Sequence, residues 1–421
     1  MILLLLKRIG RGVLAKGMAS AVGFLATIYL ANNYDKVSLG VYFFITSVVV
    51  LICSFFKLGL DVTLLKNISM LYENKKWDVI IDKIFQSLYI CVLFFGFFAL
   101  SFYFVAYFMS TSGMMVWDYF YLYPVIVGCS LLFIITSLFT SALKGMDEIF
   151  YALFIQTGLT PLLVVFFSYV SNGSIELVYC FFLGNIFSFI SSIIVLRNKI
   201  KFKMVRINFT KIKYLIRPSK LLISISFLNI LIEMSPSLIL VFYGFISEVA
   251  SFNILQKISM VSALVLVGVN SVIAQKFSIY YNDDRKRELK KMFQNSLFIC
   301  SALASFYLIF IYLFNFKVLS LFGDNYVDYG AELKIISLGY AFSLAAGPTG
   351  QLILMSGNYA KYQYVILITV VTGLISGFIF VPQYGVFGAV CSLTIAMIVK
   401  NVLGLSLSYR IINDLSLKFS R

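Results

Sequence analysis

The sequence predicts an all-α polytopic membrane protein, and three observations predict it. Hydrophobic residues fill 61% of 421 positions against 12% charged, giving a mean hydropathy of +0.95. Runs of about 20 apolar residues recur along the chain, each long enough as a helix to cross a ~30 Å hydrocarbon core. These runs are continuous and do not alternate with period two, so the backbone must satisfy itself inside each segment as helix and not in a closed barrel.

Taken in order, the runs place twelve transmembrane helices near residues 9–31, 39–66, 84–108, 119–142, 149–170, 176–196, 220–243, 249–275, 293–315, 331–356, 362–381 and 385–409. The start, MILLLLKRIGRG, sets its apolar residues ahead of the basic ones, the reverse of a secretory signal, and is read as mature protein. Lys7 to Lys16 then flank the first span. The second opens with LGVYFF from Leu39 and carries Lys57 and Asp61; the seventh carries Glu233, and the eighth opens with EVASFN from Glu248 and carries Lys257. If the N-terminus is cytoplasmic, 29 of the 34 Lys and Arg flank the internal ends and only Lys36, Lys317 and Lys334 lie outside. Lys144 and Lys400 belong to the internal group in this count. The asymmetry places both termini in the cytoplasm and accounts for the net charge of +16 without nucleic acid.

The stretch RNKIKFKMVRINFTKIKYLIRPSK (197–220) is the one long polar interruption. It divides the chain into an N-terminal six-helix lobe (1–198), a basic cytoplasmic linker (199–219) and a C-terminal six-helix lobe (220–421). The similar openings of spans two and eight suggest pseudo-symmetric repeats around a central cavity. The linker is either a tether or a basic surface for anionic lipid head groups.

Several chemistries are excluded by absence. Without histidine there is no histidine base, zinc ligand or serine-histidine triad. Cys53, Cys91, Cys129, Cys180, Cys300 and Cys391 fall singly inside apolar runs and read as packing residues. No GxxxxGK[ST] loop is present, so ATP is not hydrolysed by that route. DNYVDYGAE lacks the glycine and the bidentate glutamate of a calcium loop and is read as a loop leading into a helix.

Four phrases carry a family resemblance: KLGLDVTLLKNISMLYENKKWD (57–78), LFGDNYVDYGAELKIISLGYAF (321–342), GQLILMSGNYAKYQYVI (350–366) and VPQYGVFGAVCSLTIAMIVKN (381–401). In this order they resemble Wzx-type polysaccharide (O-antigen) repeat-unit flippases of the multidrug/oligosaccharidyl-lipid/polysaccharide (MOP) exporter superfamily. The resemblance implies a bacterial inner-membrane protein of lipopolysaccharide or related polysaccharide synthesis. Such a protein moves an undecaprenyl-pyrophosphate-linked oligosaccharide outward by alternating access, with membrane lipids and a polysaccharide polymerase as further expected partners and no cofactor. One departure is Lys57 ahead of LGLD, where the family more often has an acidic or neutral residue.

Charges inside spans are costly and usually face a partner or a wet cavity. Glu233 sits close to the bilayer midplane, with Asn229 one turn before it and Pro236 three residues after, so span seven is expected to bend or open beside the carboxylate. Two readings stay open: Glu233 and Lys257 form a buried ion pair, or Glu233 is a proton or sodium site and Lys257 meets the substrate. Asp61 is a second ion-coupling candidate, four residues after Lys57 and so also placed for a local salt bridge. A pyrophosphate needs converging cations, and Lys16, Lys57 and Lys257 are the deepest. Asn229, Asn253, Gln156, Asn270 and Gln351 are candidate sugar contacts, with Asn185 and Gln275 behind them, although amides also serve as interhelical glue. Against the flippase stand a drug or organic-cation antiporter of the same superfamily, which would favour acidic residues in the cleft, and a membrane-embedded polymerase or glycosyltransferase. The last is disfavoured because the largest external loop is the short stretch 315–331.

Overall fold

The computed structural model describes residues 2–73, 77–110, 122–173, 175–200 and 220–414. The chain divides into two units, Met1–Ile223 and Ser224–Arg421. Most of the predicted linker (201–219), the first three residues of the predicted span 119–142 and the basic tail from 415 lie outside the described residues.

The first unit contains α1 (Ile2–Asn33), α2 (Lys36–Phe56), α3 (Leu60–Glu73), α4 (Trp77–Ser110), α5 (Tyr123–Gly145), α6 (Ile149–Phe154), a π-helical turn (Ile155–Leu159), α7 (Thr160–Val170) and α8 (Leu177–Arg197). Phe56, Leu60, Leu64 and Ile68 of α2 and α3 form a core with Ile80 and Ile84 of α4 and with Ile134, Leu138 and Ala142 of α5. Between α2 and α3 the chain passes through two left-handed residues, Leu58 (φ 47°) and Gly59 (φ 63°). A leucine there is strained, so the surrounding packing must hold the break in place. The predicted span 39–66 is therefore two helices meeting at an angle point beside Lys57.

Asp35 ends the loop before α2 as its N-cap, accepting hydrogen bonds from the Val37 and Ser38 amides at 3.1 and 3.0 Å. A further hydrogen bond from the Ser38 hydroxyl, and then these amide bonds, hold the carboxyl below its ordinary value. A carboxyl depressed in the folded state stabilises above its unfolded pKa, and that stability is lost as pH falls through the folded value. Asp35→Ala is expected to cost about 1 kcal/mol near neutral pH. Thermal melts in detergent should show the gap between variant and wild type closing as pH is lowered below about 4.

The second unit contains α9 (Lys220–Phe242), α10 (Ile246–Ser259), α11 (Val261–Asn282), α12 (Lys286–Ser320), a 3₁₀ turn (Asp324–Tyr329), α13 (Gly330–Ala345), α14 (Pro348–Met355) and α15 (Tyr359–Asp414). Ile273 and Phe277 of α11, Leu289 and Phe293 of α12, Leu352 of α14 and Ile412 of α15 share one core. Pro236 does not break α9: the Ile232 carbonyl it frees accepts from the Ser235 hydroxyl at 3.3 Å, and the helix runs on to Phe242. The helix does not open beside Glu233. The interruption falls instead in α15, where Gly385 adopts φ 52°, ψ −125°. Only glycine reaches that region readily.

Among the described residues, ten helices are long and apolar enough to cross a membrane. The six cysteines are free, with only Cys391 partly exposed.

Candidate functional site

Each unit gathers charged and amide side chains inside its helices. In the first unit the break between α2 and α3 creates the site. Lys57 caps the C-terminal end of α2 and Asp61 lies in the first turn of α3, each suited to the helix dipole it meets. Their side chains pair at 3.1 Å with 15% and 25% exposure, so the pair is shielded but reachable. The predicted local salt bridge forms, although across a break and not along one continuous face.

Lys144, in the last turn of α5, donates to the Gln156 side-chain oxygen at 2.6 Å. Gln156 lies in the π-helical turn, where one extra residue per turn swings side chains off the regular face. Gly158 in the same turn lets the segment close on α1: an added Cβ would lie 3.1 Å from the Ala19 Cα. Lys144 interacts electrostatically with Asp61, Lys57 and Lys16. Three ammonium groups and one carboxylate, carried by α1, α2, α3 and α5, thus share one neighbourhood. Four of its members, Lys16, Lys57, Asp61 and Gln156, are sequence candidates; Lys144 enters the sequence reading only as one of the internal flanking charges.

In the second unit Asn229 and Glu233 stand one turn apart on α9. The Asn229 side-chain oxygen accepts from Lys400 Nζ at 3.1 Å, and the charge acting on Glu233 is that of Lys400, from α15. Lys400 lies 14 residues before Asp414, about 21 Å of helix, so it belongs to the interior of the span and not to the cytoplasmic flank. Lys257, proposed as the partner of Glu233, has interactions of its own. From α10, Gln256 donates to the Glu233 backbone carbonyl at 3.0 Å, and the buried Tyr340 of α13 faces Glu233.

The remaining amides take different roles. Asn253 donates to the Ser237 hydroxyl at 3.0 Å and to the Val249 carbonyl at 2.9 Å, which ties α10 to α9. Asn185 donates to the Phe181 carbonyl on its own helix. Asn270 keeps a buried side-chain oxygen without a hydrogen-bond donor, and Gln351 is half-buried on α14. The side chain of Gln275 lies outside the described residues.

No protein-family model matches the chain. A 155-residue stretch is 28% identical to the capsular polysaccharide biosynthesis protein CapF of Staphylococcus aureus, covering 35% of this chain and 38% of that protein. Among solved structures, an inward-facing multidrug-resistance MATE transporter of the MOP superfamily aligns with TM-score 0.75 at 15% identity, over 97% of this chain and 100% of that one. The lipid II flippase MurJ in an inward closed conformation aligns with TM-score 0.69 at 16% identity, over 96% and 90%. A Pyrococcus furiosus MOP-superfamily transporter, described as having a binding pocket of reverse polarity, aligns with TM-score 0.66 at 13% identity, over 97% and 96%. The chain therefore has the multi-pass helical fold shared by these transporters, along its whole length.

Proposed function

We propose that the protein is a flippase for an undecaprenyl-pyrophosphate-linked oligosaccharide repeat unit, working by alternating access in the bacterial inner membrane with both termini cytoplasmic. The observation that carries this reading is the first unit's cluster, in which Lys57 pairs with Asp61 and Lys144 interacts electrostatically with both and with Lys16. Three ammoniums against one carboxylate leave a surplus of two positive charges, matching a pyrophosphate diester. In a site shielded from water such charges replace the hydration of the head group. The likeness to a lipid II flippase and the short stretch shared with a capsular polysaccharide protein support a lipid-linked sugar as cargo. Lys57 holds Asp61 until the head group arrives, and Lys144, hydrogen-bonded to a neutral amide, is the most readily recruited cation. Lys257 and the free amide oxygen of Asn270 remain candidates for the second unit's share of the substrate. The expected polymerase partner and coupling ion belong to this same reading.

A second reading, an organic-cation antiporter, is favoured by the intramembrane carboxylates Asp61 and Glu233 and by the likeness to multidrug transporters. Native mass spectrometry of the purified protein with undecaprenyl pyrophosphate, and a neutral lipid as control, separates the two. Wild type should retain the pyrophosphate lipid selectively, and Lys144→Met should weaken retention about tenfold, the loss of one charge-assisted contact. No preference over the neutral lipid selects the antiporter.

A further inference from the structure

One surface of α12 plays no part in the transport reading. At about 1.5 Å per residue this helix of 35 residues is about 52 Å long, well beyond a hydrocarbon core of ~30 Å. Its long apolar run begins near Leu297, so the basic first turns, KRELKK, stand in the head-group layer. Leu289 and Phe293 turn one face of these turns into the core shared with α11, α14 and α15. Helical spacing puts Arg287, Lys290 and Lys291 together on the opposite face, and all three are exposed. Followed along the helix, that same face carries Phe298, Ile309 and Leu313, exposed by 76%, 59% and 72%. One surface thus has cations at its end and bare apolar side chains along its length, the pattern that complements an amphiphile.

The charges beside it sort into engaged and available ones. Arg285 donates twice to the Glu288 carboxylate, at 3.0 and 3.2 Å, and Lys286 donates to the Asn413 carbonyl near the end of α15 at 3.2 Å. Arg287 acts on Glu288 as well. Among the described residues Lys290 and Lys291 form no salt bridge. The stretch 283–291, DDRKRELKK, sets five cations against three carboxylates, so the end of the hairpin keeps a positive surplus. We propose that this face of α12 holds an anionic phospholipid of the surrounding bilayer, its phosphate against Arg287, Lys290 and Lys291 and an acyl chain along Phe298 and Ile309. Lys291 and Phe298 lie seven residues apart, about 10 Å of helix, which suits the step from a phosphate down to the upper acyl chain. A neutral phospholipid would meet the apolar side chains and leave the cations uncompensated. An acidic soluble partner would meet the cations and leave the apolar side chains bare. The cargo of the transporter does not enter this inference.

The test is native mass spectrometry of the purified protein with phosphatidylglycerol and with phosphatidylcholine of the same acyl chains. Wild type should retain phosphatidylglycerol selectively, and less of it as ionic strength is raised. Arg287→Gln/Lys290→Gln/Lys291→Gln should retain about tenfold less phosphatidylglycerol and the same amount of phosphatidylcholine, since each basic residue near the surface adds to the attraction. Lys317→Gln, in the last turn of the same helix, should retain as much as wild type. If the triple variant does not fold, Lys290→Gln/Lys291→Gln serves the same comparison with a smaller loss. Equal retention of the two lipids by wild type overturns the inference, as does a variant that keeps the wild-type preference. Undecaprenyl pyrophosphate that displaces phosphatidylglycerol from wild type, and is itself lost with the triple substitution, makes the polyprenyl lipid the occupant and overturns it too. Lys144→Met should keep phosphatidylglycerol, so the cargo reading and this one fail separately.

Discussion

Glu233→Gln is expected to slow transport at least about tenfold while the protein still folds and inserts. Glutamine keeps the size of the side chain and an oxygen for hydrogen bonding but removes the charge. The consequence falls on Lys400, whose ammonium then sits inside the helices with Asn229 as its known acceptor. Removing the carboxylate charge that acts on it costs up to about 3 kcal/mol, because the surviving charge keeps its desolvation cost and loses part of its compensation. The melting temperature should therefore drop, and the double variant Glu233→Gln/Lys400→Met should recover most of it, since a neutral pair carries no such penalty. Activity should not recover, because neither side chain of the double variant exchanges a proton. The pair of readouts separates a role in holding α9 against α15 from a role in the cycle. Reconstituted vesicles assayed from pH 6 to 8, with and without sodium, supply the check: rates for Glu233→Gln that match wild type throughout would remove the residue from the mechanism.

The membrane fold was legible because bilayer thickness and backbone hydrogen bonding leave few alternatives for long apolar runs. One interruption was legible, Gly385, which falls where the reading divides 381 from 385; the break at Leu58 and Gly59, inside the second predicted span, was not. The continuity of α9 through Pro236 was not legible, for a physical reason. Proline removes one amide and frees one carbonyl, and a serine one residue away supplies the missing donor, which a rule about proline alone does not see.

The site was legible in its acids and less so in its bases. Glu233 and Asp61 stand out because few acids occur inside apolar runs. Lys144 and Lys400 were absorbed into a count of flanking charges, since a lysine near the edge of a span usually extends its ammonium to the head groups. What marked them out was the sequence beyond. Lys400 is followed by NVLGLSLSY, a further two turns of mostly apolar helix, and Lys144 has an amide twelve residues on that a π-helical turn brings into reach. The pairing of Lys400 with Asn229 joins residues 171 apart in the chain, and no periodicity carries that information.

Gly385→Ala is expected to cost the second unit more than about 3 kcal/mol, by two separate mechanisms. At φ 52°, ψ −125° an alanine is strained whatever surrounds it. Its Cβ would also lie 2.1 Å from the Glu248 Oε2. That oxygen is not free to retreat, since it accepts from the Val386 amide at 2.7 Å and so caps the second half of α15. Glu248→Ala alone removes the cap and leaves the Val386 amide without this acceptor, at a cost of about 1–2 kcal/mol. In the double variant the overlap disappears while the strain and the lost cap remain, so its cost should fall short of the sum of the singles, as for any two residues in contact. Melts of the three variants measure this. The break matters beyond stability because the half of α15 that follows Gly385 carries Lys400. A helix forced straight at Gly385 would turn Lys400 away from Asn229, so Gly385→Ala should also slow transport. If Gly385→Ala melts with wild type and keeps the wild-type rate, the direction of the second half of α15 is set by its packing and not by the glycine.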